Sequence, residues 1–390
     1  MHILIVSRSL PHHNIGGMES VAWDLARAFR DDGASVSLLT TAHRSLPSDG
    51  MIDDIAIRTV DAPEGRYSKA WWEGSLAIYR SAFADRVDAV LGVSAAANAL
   101  VADHRPGAGP VFVFQAHGTS SGEIVSRLRA RTLKGVVGSA RNIYWGLFKD
   151  WIYRRYDAVV SVGQAVHLQM AKAPTAILRG ATPEALIPNG VDEAAFAFDA
   201  EARNTVRARH GLPEDARVLL SLSRLHVQKG VGDSIAAFAL AHRDAPDLRL
   251  LIAGDGPHAA VLRAQAAETG LGGAIVFTGA VARAEVPNLM SAADAFVFPT
   301  LRVEGAPINV LEALACGLPL ITTPNGASAD LPALRVGMGD REALRAAMAE
   351  TRLAGTERAS LLPQSYSIRQ TAQAYVGLFA ALRETAPVAA

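Results

Sequence analysis

Short apolar runs alternate with amphipathic helical stretches along this chain, and the alternation happens twice. In the first half HILIVS, VSLLTT, DAVLGV, VFVFQA and DAVVSVG read as strands, and SVAWDLARAFRDDG reads as the first helix, ending at Gly33. In the second half RVLLSLS, LRLLIAG, AIVFTG, AFVFPT and LPLITT are strands, with helices near 231–243, 258–268, 284–292 and 307–316. Strands separated by helices of this length form βαβ units, whose strands lie parallel and are covered on both faces. The pattern therefore predicts an α/β chain of two Rossmann-like, doubly wound parallel-sheet domains. Pro188, Asn189 and Gly190 supply turn chemistry between the halves, which gives domains at 1–190 and 191–366. A last helix, about 367–384, opens the remaining 367–390 and has Ala372, Val376, Phe379 and Ala380 to bury.

A chain of 390 residues with 50% hydrophobic content has material for two cores. Its 38 basic residues balance 38 acidic ones, which argues against a general nucleic-acid binder. Cys316 is the single cysteine, so no internal disulfide exists, and the thiol is expected in the core. The run MHILIVSRSL lacks a signal-peptide pattern, and no window offers about eighteen uninterrupted apolar residues. These features predict a cytoplasmic protein, at most peripheral on a membrane face.

Doubly wound sheets bind ligands beyond the carboxyl ends of their strands, so the loops after the strands carry the functional reading. SRSLPHHNIGGMES follows the first strand, where Gly16 and Gly17 allow close backbone approach before a helix. SRLHVQKG, after the first strand of the second half, brings Arg224 and Lys229 into one loop, a fork and a point charge for phosphate. The third stretch is VEGAPINVLEALACG, residues 303–317. Pro307 fits the first helical position. Ile308, Leu311, Leu314 and Ala315 form an apolar face with Glu312 at its edge, and Glu304 precedes the helix. A carboxylate at such an edge needs donors such as ligand hydroxyls, and the amides of Ile308, Asn309 and Val310 make a positive helix end suited to phosphate. No D-x-D or clustered His/Cys pattern points to a metal, so these cations and the helix end would hold a diphosphate leaving group in a cleft between the domains.

These residues resemble a known family. Glu304 and Glu312 in EGAPINVLEALACGLPLI form an E-x7-E signature, supported by SRLHVQKG, IAGDGP, VFTGAV, IPNGVD and the early GGME. Together they resemble the retaining glycosyltransferases of GT-B fold, family 4 type (glycosyl transferases group 1), over nearly the whole chain. The resemblance implies a nucleotide-diphosphate sugar as donor substrate, no metal cofactor, and transfer of a hexose-type sugar to a glycan or lipid-linked acceptor in envelope polysaccharide or glycolipid synthesis. It implies that Glu304 binds hydroxyls of the transferred sugar, Glu312 the ribose, and the Ile308 and Asn309 amides the diphosphate. Gly17 would approach the donor phosphates, Arg224 and Lys229 would clamp them, and His117 in QAHGT would lie near the donor sugar. Gly254 and Thr278 would flank the nucleobase. The last helix would return to the first domain. Two departures stand out: TPNGASADLPAL replaces a Gly-Gly-x-x-Glu turn, and YSIRQ lacks a tryptophan common before the last helix.

Residues 123–155 hold eight cations, Arg127, Arg129, Arg131, Lys134, Arg141, Lys149, Arg154 and Arg155, against Glu123 and Asp150, with Trp145, Phe148 and Trp151 among them. Such a segment suits anionic lipid headgroups and a lipid-linked acceptor, or forms a solvated basic face. Two other activities fit parts of the chain. A nucleotide-sugar epimerase would use the same grips without an acceptor, and GTSSG at 118–122 has nucleophile-elbow spacing, with Ser120 as nucleophile of a serine hydrolase.

Overall fold

The computed structural model describes residues 1–13, 16–102, 104–119, 150–304, 307–355 and 357–384. The chain divides into two compact units, Met1–Gly190 with the segment from Ile368, and Val191–Ser367.

The first unit is built on β1 (His2–Val6), β2 (Ser35–Thr41), β3 (Asp49–Ile52), β4 (Ile55–Val60), β5 (Ala89–Val93), β6 (Val111–Ala116), β7 (Ala158–Ser161) and β8 (Glu184–Leu186). Their order across the sheet is β3-β4-β2-β1-β5-β6-β7-β8, parallel except for the β3–β4 hairpin. β1, β5 and β6 are buried almost throughout, as strands covered on both faces must be. The helix Gly17–Asp31 buries Ser20, Val21, Ala22, Leu25, Ala26 and Phe29. Gly33, at φ +85°, lets the chain leave that helix toward β2. The last helix, Ile368–Glu384, packs on this one: Tyr375 and Phe379 each lie 6.2 Å, centroid to centroid, from Phe29.

In the second unit β9 (Arg217–Leu222), β10 (Leu248–Ala253), β11 (Ile275–Gly279), β12 (Ala295–Phe298), β13 (Leu320–Thr322) and β14 (Leu334–Arg335) form a parallel sheet ordered β11-β10-β9-β12-β13-β14. The sequence places no strand at β14, which is only two residues long. At the amino edge Asp294, fully buried, accepts from Arg203 at 2.8 Å, Arg207 at 2.7 Å and the Val218 amide at 2.7 Å, locking the helix Ala200–Arg209 to β9 and β12. Cys316 is buried just past the helix Ile308–Ala315, and burial raises its thiol pKa.

In each sheet the strand order reverses at one point, between β1 and β5 and between β9 and β12. The carboxyl ends at these points are where such sheets take their ligands. No helix among the described residues is long and apolar enough to cross a membrane.

Candidate active site

In the second unit the loop after β9 is shaped by one glycine. Gly230 has φ +71°, and a Cβ there would lie 2.0 Å from the Pro299 carbonyl oxygen. The loop is thus pressed against the end of β12. The turn Val227–Lys229 is capped by the His226 ring, which accepts from the Gln228 amide at 3.3 Å. Burial, then the neighbouring Arg224, lowers the His226 pKa, so this cap stays neutral and able to accept. Lys229 Nζ meets Glu304 Oε1 at 2.7 Å and lies 5.2 Å from the Phe298 ring centroid. Glu304 is fixed from behind, its amide donating to the Asn325 carbonyl at 2.9 Å. Arg224 is exposed, and its side chain has no hydrogen bond or ion pair among the described residues.

The helix Ile308–Ala315 is buried at every residue but Asn309. Pro307 is its N-cap rather than its first helical residue, with extended backbone at ψ 121°. The Asn309 side chain ties the helix start to β9, donating to the Leu222 carbonyl at 2.8 Å. The Val310 amide donates to the Pro307 carbonyl and to Asn309 Oδ1. Of the three amides expected to face a phosphate, Val310 is therefore already engaged, which leaves Ile308 and Asn309.

Glu312 is 2% exposed, deeper than the edge position expected. Its carboxylate is paired with Arg283, whose guanidinium lies 5.0 Å from the Phe196 ring centroid. Arg283 is a residue that the sequence reading missed. It sits in the turn after VFTGAV, a stretch already placed near the ligand, but nothing local marks it as the partner of Glu312. Gly254 and Thr278 lie at the ends of neighbouring strands. Gly254, at φ +123°, has no room for a Cβ, which would sit 2.1 Å from the Ser223 carbonyl, and its amide donates to the Gly279 carbonyl. Thr278 Oγ1 donates to the same carbonyl at 2.9 Å.

Gly16, Gly17 and His117 belong to the first unit. Gly16 is the N-cap of the helix that Gly17 begins, and the Glu19 carboxylate folds back over it. His117 follows β6. Its Nε2 lies 2.9 Å from Gln115 Oε1, and Gln115 Nε2 donates to the Tyr375 hydroxyl at 2.9 Å. Burial lowers the His117 pKa to about 4, so the ring is neutral at pH 7. Because the Gln115 amide nitrogen is spent on Tyr375, its oxygen must accept from Nε2–H, which makes Nδ1 the acceptor of His117.

Ser120 lies outside the described residues, as does 123–149 of the basic segment. In the remainder, Trp151 is 49% exposed. Arg154 lies over its ring and donates to the Ile177 and Leu178 carbonyls, and Arg155 donates to the Ala102 carbonyl. No group of three His, Cys, Asp or Glu able to hold a metal ion occurs among the described residues.

Two family models match the chain: glycosyl transferases group 1 over residues 202–333, and Glycosyltransferase Family 4 over residues 15–195. Over 178 residues the chain is 36% identical to the GDP-mannose-dependent alpha-(1-6)-phosphatidylinositol monomannoside mannosyltransferase of Mycolicibacterium smegmatis, covering 44% of this chain and 45% of that one. It is 32% identical over 144 residues to the alpha-monoglucosyldiacylglycerol synthase of Streptococcus pneumoniae, 36% of this chain and 32% of that one. The matched spans are thus under half the length of these relatives. Among solved structures, sucrose-phosphate synthase from Thermosynechococcus elongatus superposes with a TM-score of 0.75 at 19% identity, covering 97% of this chain and 99% of that one. Anabaena HepE in complex with UDP and glucose gives 0.70 at 17% identity, covering 98% and 100%. These likenesses show the fold, the α/β GT-B type with two Rossmann-like domains.

Proposed function

We propose, for a chain that belongs to the glycosyltransferases of the group 1, family 4 type, transfer of a hexose-type sugar from a nucleotide-diphosphate sugar to a hydroxyl of a glycan or glycolipid acceptor, with retention at the anomeric carbon. The observation that carries the reading is the pair of glutamates flanking one helix start at the switch point of the second sheet, each already engaged by a cation: Glu304 by Lys229 and Glu312 by Arg283.

A carboxylate accepts several hydrogen bonds. One oxygen of Glu304 can hold Lys229 while the other takes sugar hydroxyls, and Glu312 can accept from ribose hydroxyls beside Arg283. The Ile308 and Asn309 amides, Lys229 and Arg224 would then neutralise the diphosphate as its bond to the sugar breaks. With these cations we expect transfer to persist without a divalent metal. A neutral His117 would offer Nδ1 to a donor-sugar hydroxyl. The acceptor proton would pass to the departing phosphate by attack on the same face. The names of the relatives, a mannosyltransferase for phosphatidylinositol monomannoside and a synthase of monoglucosyldiacylglycerol, support a lipid-linked acceptor, and with it a peripheral place on the cytoplasmic membrane face.

The test is thermal stabilisation by UDP, GDP, ADP and their sugar conjugates in the wild type and in Glu312→Ala, followed by nucleotide release with and without added acceptor in EDTA. One nucleotide should stabilise the wild type much more than the variant, and release should depend on acceptor. Absence of stabilisation by every nucleotide refutes the donor site, whereas acceptor-independent turnover refutes the transferase and favours an epimerase.

A further inference from the structure

We propose that the first unit binds a phosphate or carboxylate group carried by the acceptor, at a site built from Arg8, Tyr67 and Ser94 at the carboxyl ends of β1 and β5. This rests on the transferase reading above and adds the charge of its acceptor.

Arg8 stands two residues beyond β1, at the switch point of the first sheet. Its guanidinium carbon lies 4.8 Å from the centroid of the Tyr67 ring. Its side chain forms no ion pair and no hydrogen bond among the described residues, and its Nε is shielded from water without a partner. The acid closest to this arrangement in its effect on Tyr67 is Glu19, in the first turn of the helix Gly17–Asp31, and it makes no ion pair with Arg8. A guanidinium stacked on a ring keeps its in-plane donors, and the terminal nitrogens of Arg8 are the ones open to a ligand. Their fork matches the two oxygens of a phosphate or carboxylate.

A second feature, independent of Arg8, marks the same place. Ser94, immediately after β5, has φ +56°, a left-handed conformation that a serine seldom adopts. It lies beside Tyr67. Such strain persists where the surroundings enforce it, commonly at ligand sites. The aromatic residues at this place are themselves fixed: Trp72 stacks on Tyr67 at 4.9 Å and 15°, and Trp71 Nε1 donates to the Ala96 carbonyl at 3.2 Å. Arg8 is thus held on a rigid aromatic support. A stacked pair of aromatic rings beside a cation that has no acid partner among the described residues suits a polyol or sugar ring bearing an anionic substituent.

The strand order sets a scale for this ligand. β1, β5 and β6 are adjacent, so the ends carrying Arg8 and His117 are two strand spacings apart, about 10 Å. An acceptor reaching both would have roughly one ring between its anionic group and its reacting hydroxyl.

The experiment is saturation-transfer NMR titration of the full chain with glucose 6-phosphate, dihexanoyl phosphatidylglycerol and, as the neutral control, glucose. It uses an Arg224→Gln/Lys229→Gln background to remove the anion grip of the second unit, with Arg8 intact, Arg8→Lys or Arg8→Gln. With Arg8 intact at least one phosphorylated probe should bind. Its affinity should fall at least tenfold in Arg8→Gln and less in Arg8→Lys, with glucose unaffected. Preference for glucose 6-phosphate indicates a soluble sugar phosphate and preference for the phosphatidylglycerol a lipid headgroup; either supports the site. Equal binding with and without Arg8, or no binding of either phosphorylated probe, overturns it. Transfer is assayed separately, with Arg224 and Lys229 intact: Arg8-dependent binding in a protein that then transfers no sugar leaves the site standing and removes the transferase, while sugar transfer to neutral acceptors, indifferent to Arg8, does the reverse.

Discussion

Arg283→Met is the perturbation whose cost the structure defines best. Glu312 is 2% exposed, and its carboxylate faces Arg283 across a pair whose cation is 26% exposed. Methionine keeps much of the aliphatic length that packs toward Phe196 and removes the charge. Stripping one partner from a fully buried ion pair costs roughly 3–5 kcal/mol, because the charge that remains loses that compensation. Water reaches the Arg283 side of this pair, so the expected cost is lower, about 2–3 kcal/mol. For a domain of this size that corresponds to a fall in Tm of about 4–12 °C.

The placement of the aromatic residues supplies the assay. All five tryptophans lie between Trp23 and Trp151, in the first unit's share of the sequence. Tryptophan fluorescence therefore follows that unit, whereas far-UV circular dichroism follows both. Arg283→Met should lower the dichroism-detected transition and leave the fluorescence-detected one in place. Replacing the acid as well, in Arg283→Met/Glu312→Leu, should recover at least half of the loss, since it removes the buried charge. An unchanged dichroism transition in Arg283→Met, or a double variant as unstable as the single one, would refute the argument that Arg283 is what makes the buried Glu312 tolerable.

Two further outcomes follow from single residues. The His117 pKa lies at about 4 in the folded protein against 6.5 in an unperturbed ring, so as pH falls from 6.5 toward 4 the unfolded chain takes up a proton that the native state refuses. Stability should fall through that window, and His117→Gln should flatten the fall. Urea midpoints at pH 7 and 4.5 measure it, and equal pH dependence in the two proteins would contradict the buried neutral ring. Gly230→Ala places a Cβ 2.0 Å from the Pro299 carbonyl at φ +71° and should cost at least about 3 kcal/mol, whereas Gly339→Ala, at φ +75° in open space, should cost only about 1 kcal/mol. Equal midpoints for the two glycine variants would mean that the loop carrying Lys229 is not held against β12.

What could be read from the sequence divides along a physical line. Buried parallel strands and the helix around Leu311 announce themselves through apolar runs and spacing, because burial on a regular element is a local, periodic signal. The helix Ala200–Arg209 gave no such signal, because part of its buried face is Arg203 and Arg207, satisfied by Asp294 and by carbonyls. A periodicity of apolar residues cannot detect a core contact made by guanidiniums. The β3–β4 hairpin escaped for a related reason: its turn places Asp53 and Asp54 at φ 50° and 57°, a conformation usually signalled by Asn or Gly.

The same line runs through the candidate site. Glu304 and Glu312 stand out by spacing around one helix, but the cations that make them tolerable come from other loops, Lys229 75 residues before Glu304 and Arg283 29 before Glu312. Coulomb pairing leaves no period in the sequence, and Lys229 was legible only because it shared a strand-to-helix loop with Arg224. Arg283 had no such companion. A glutamate on an apolar face therefore poses a question that only folding answers, and here the answer places a cation beside each acid. Such an arrangement can release the acids to ligand hydroxyls without leaving either carboxylate uncompensated.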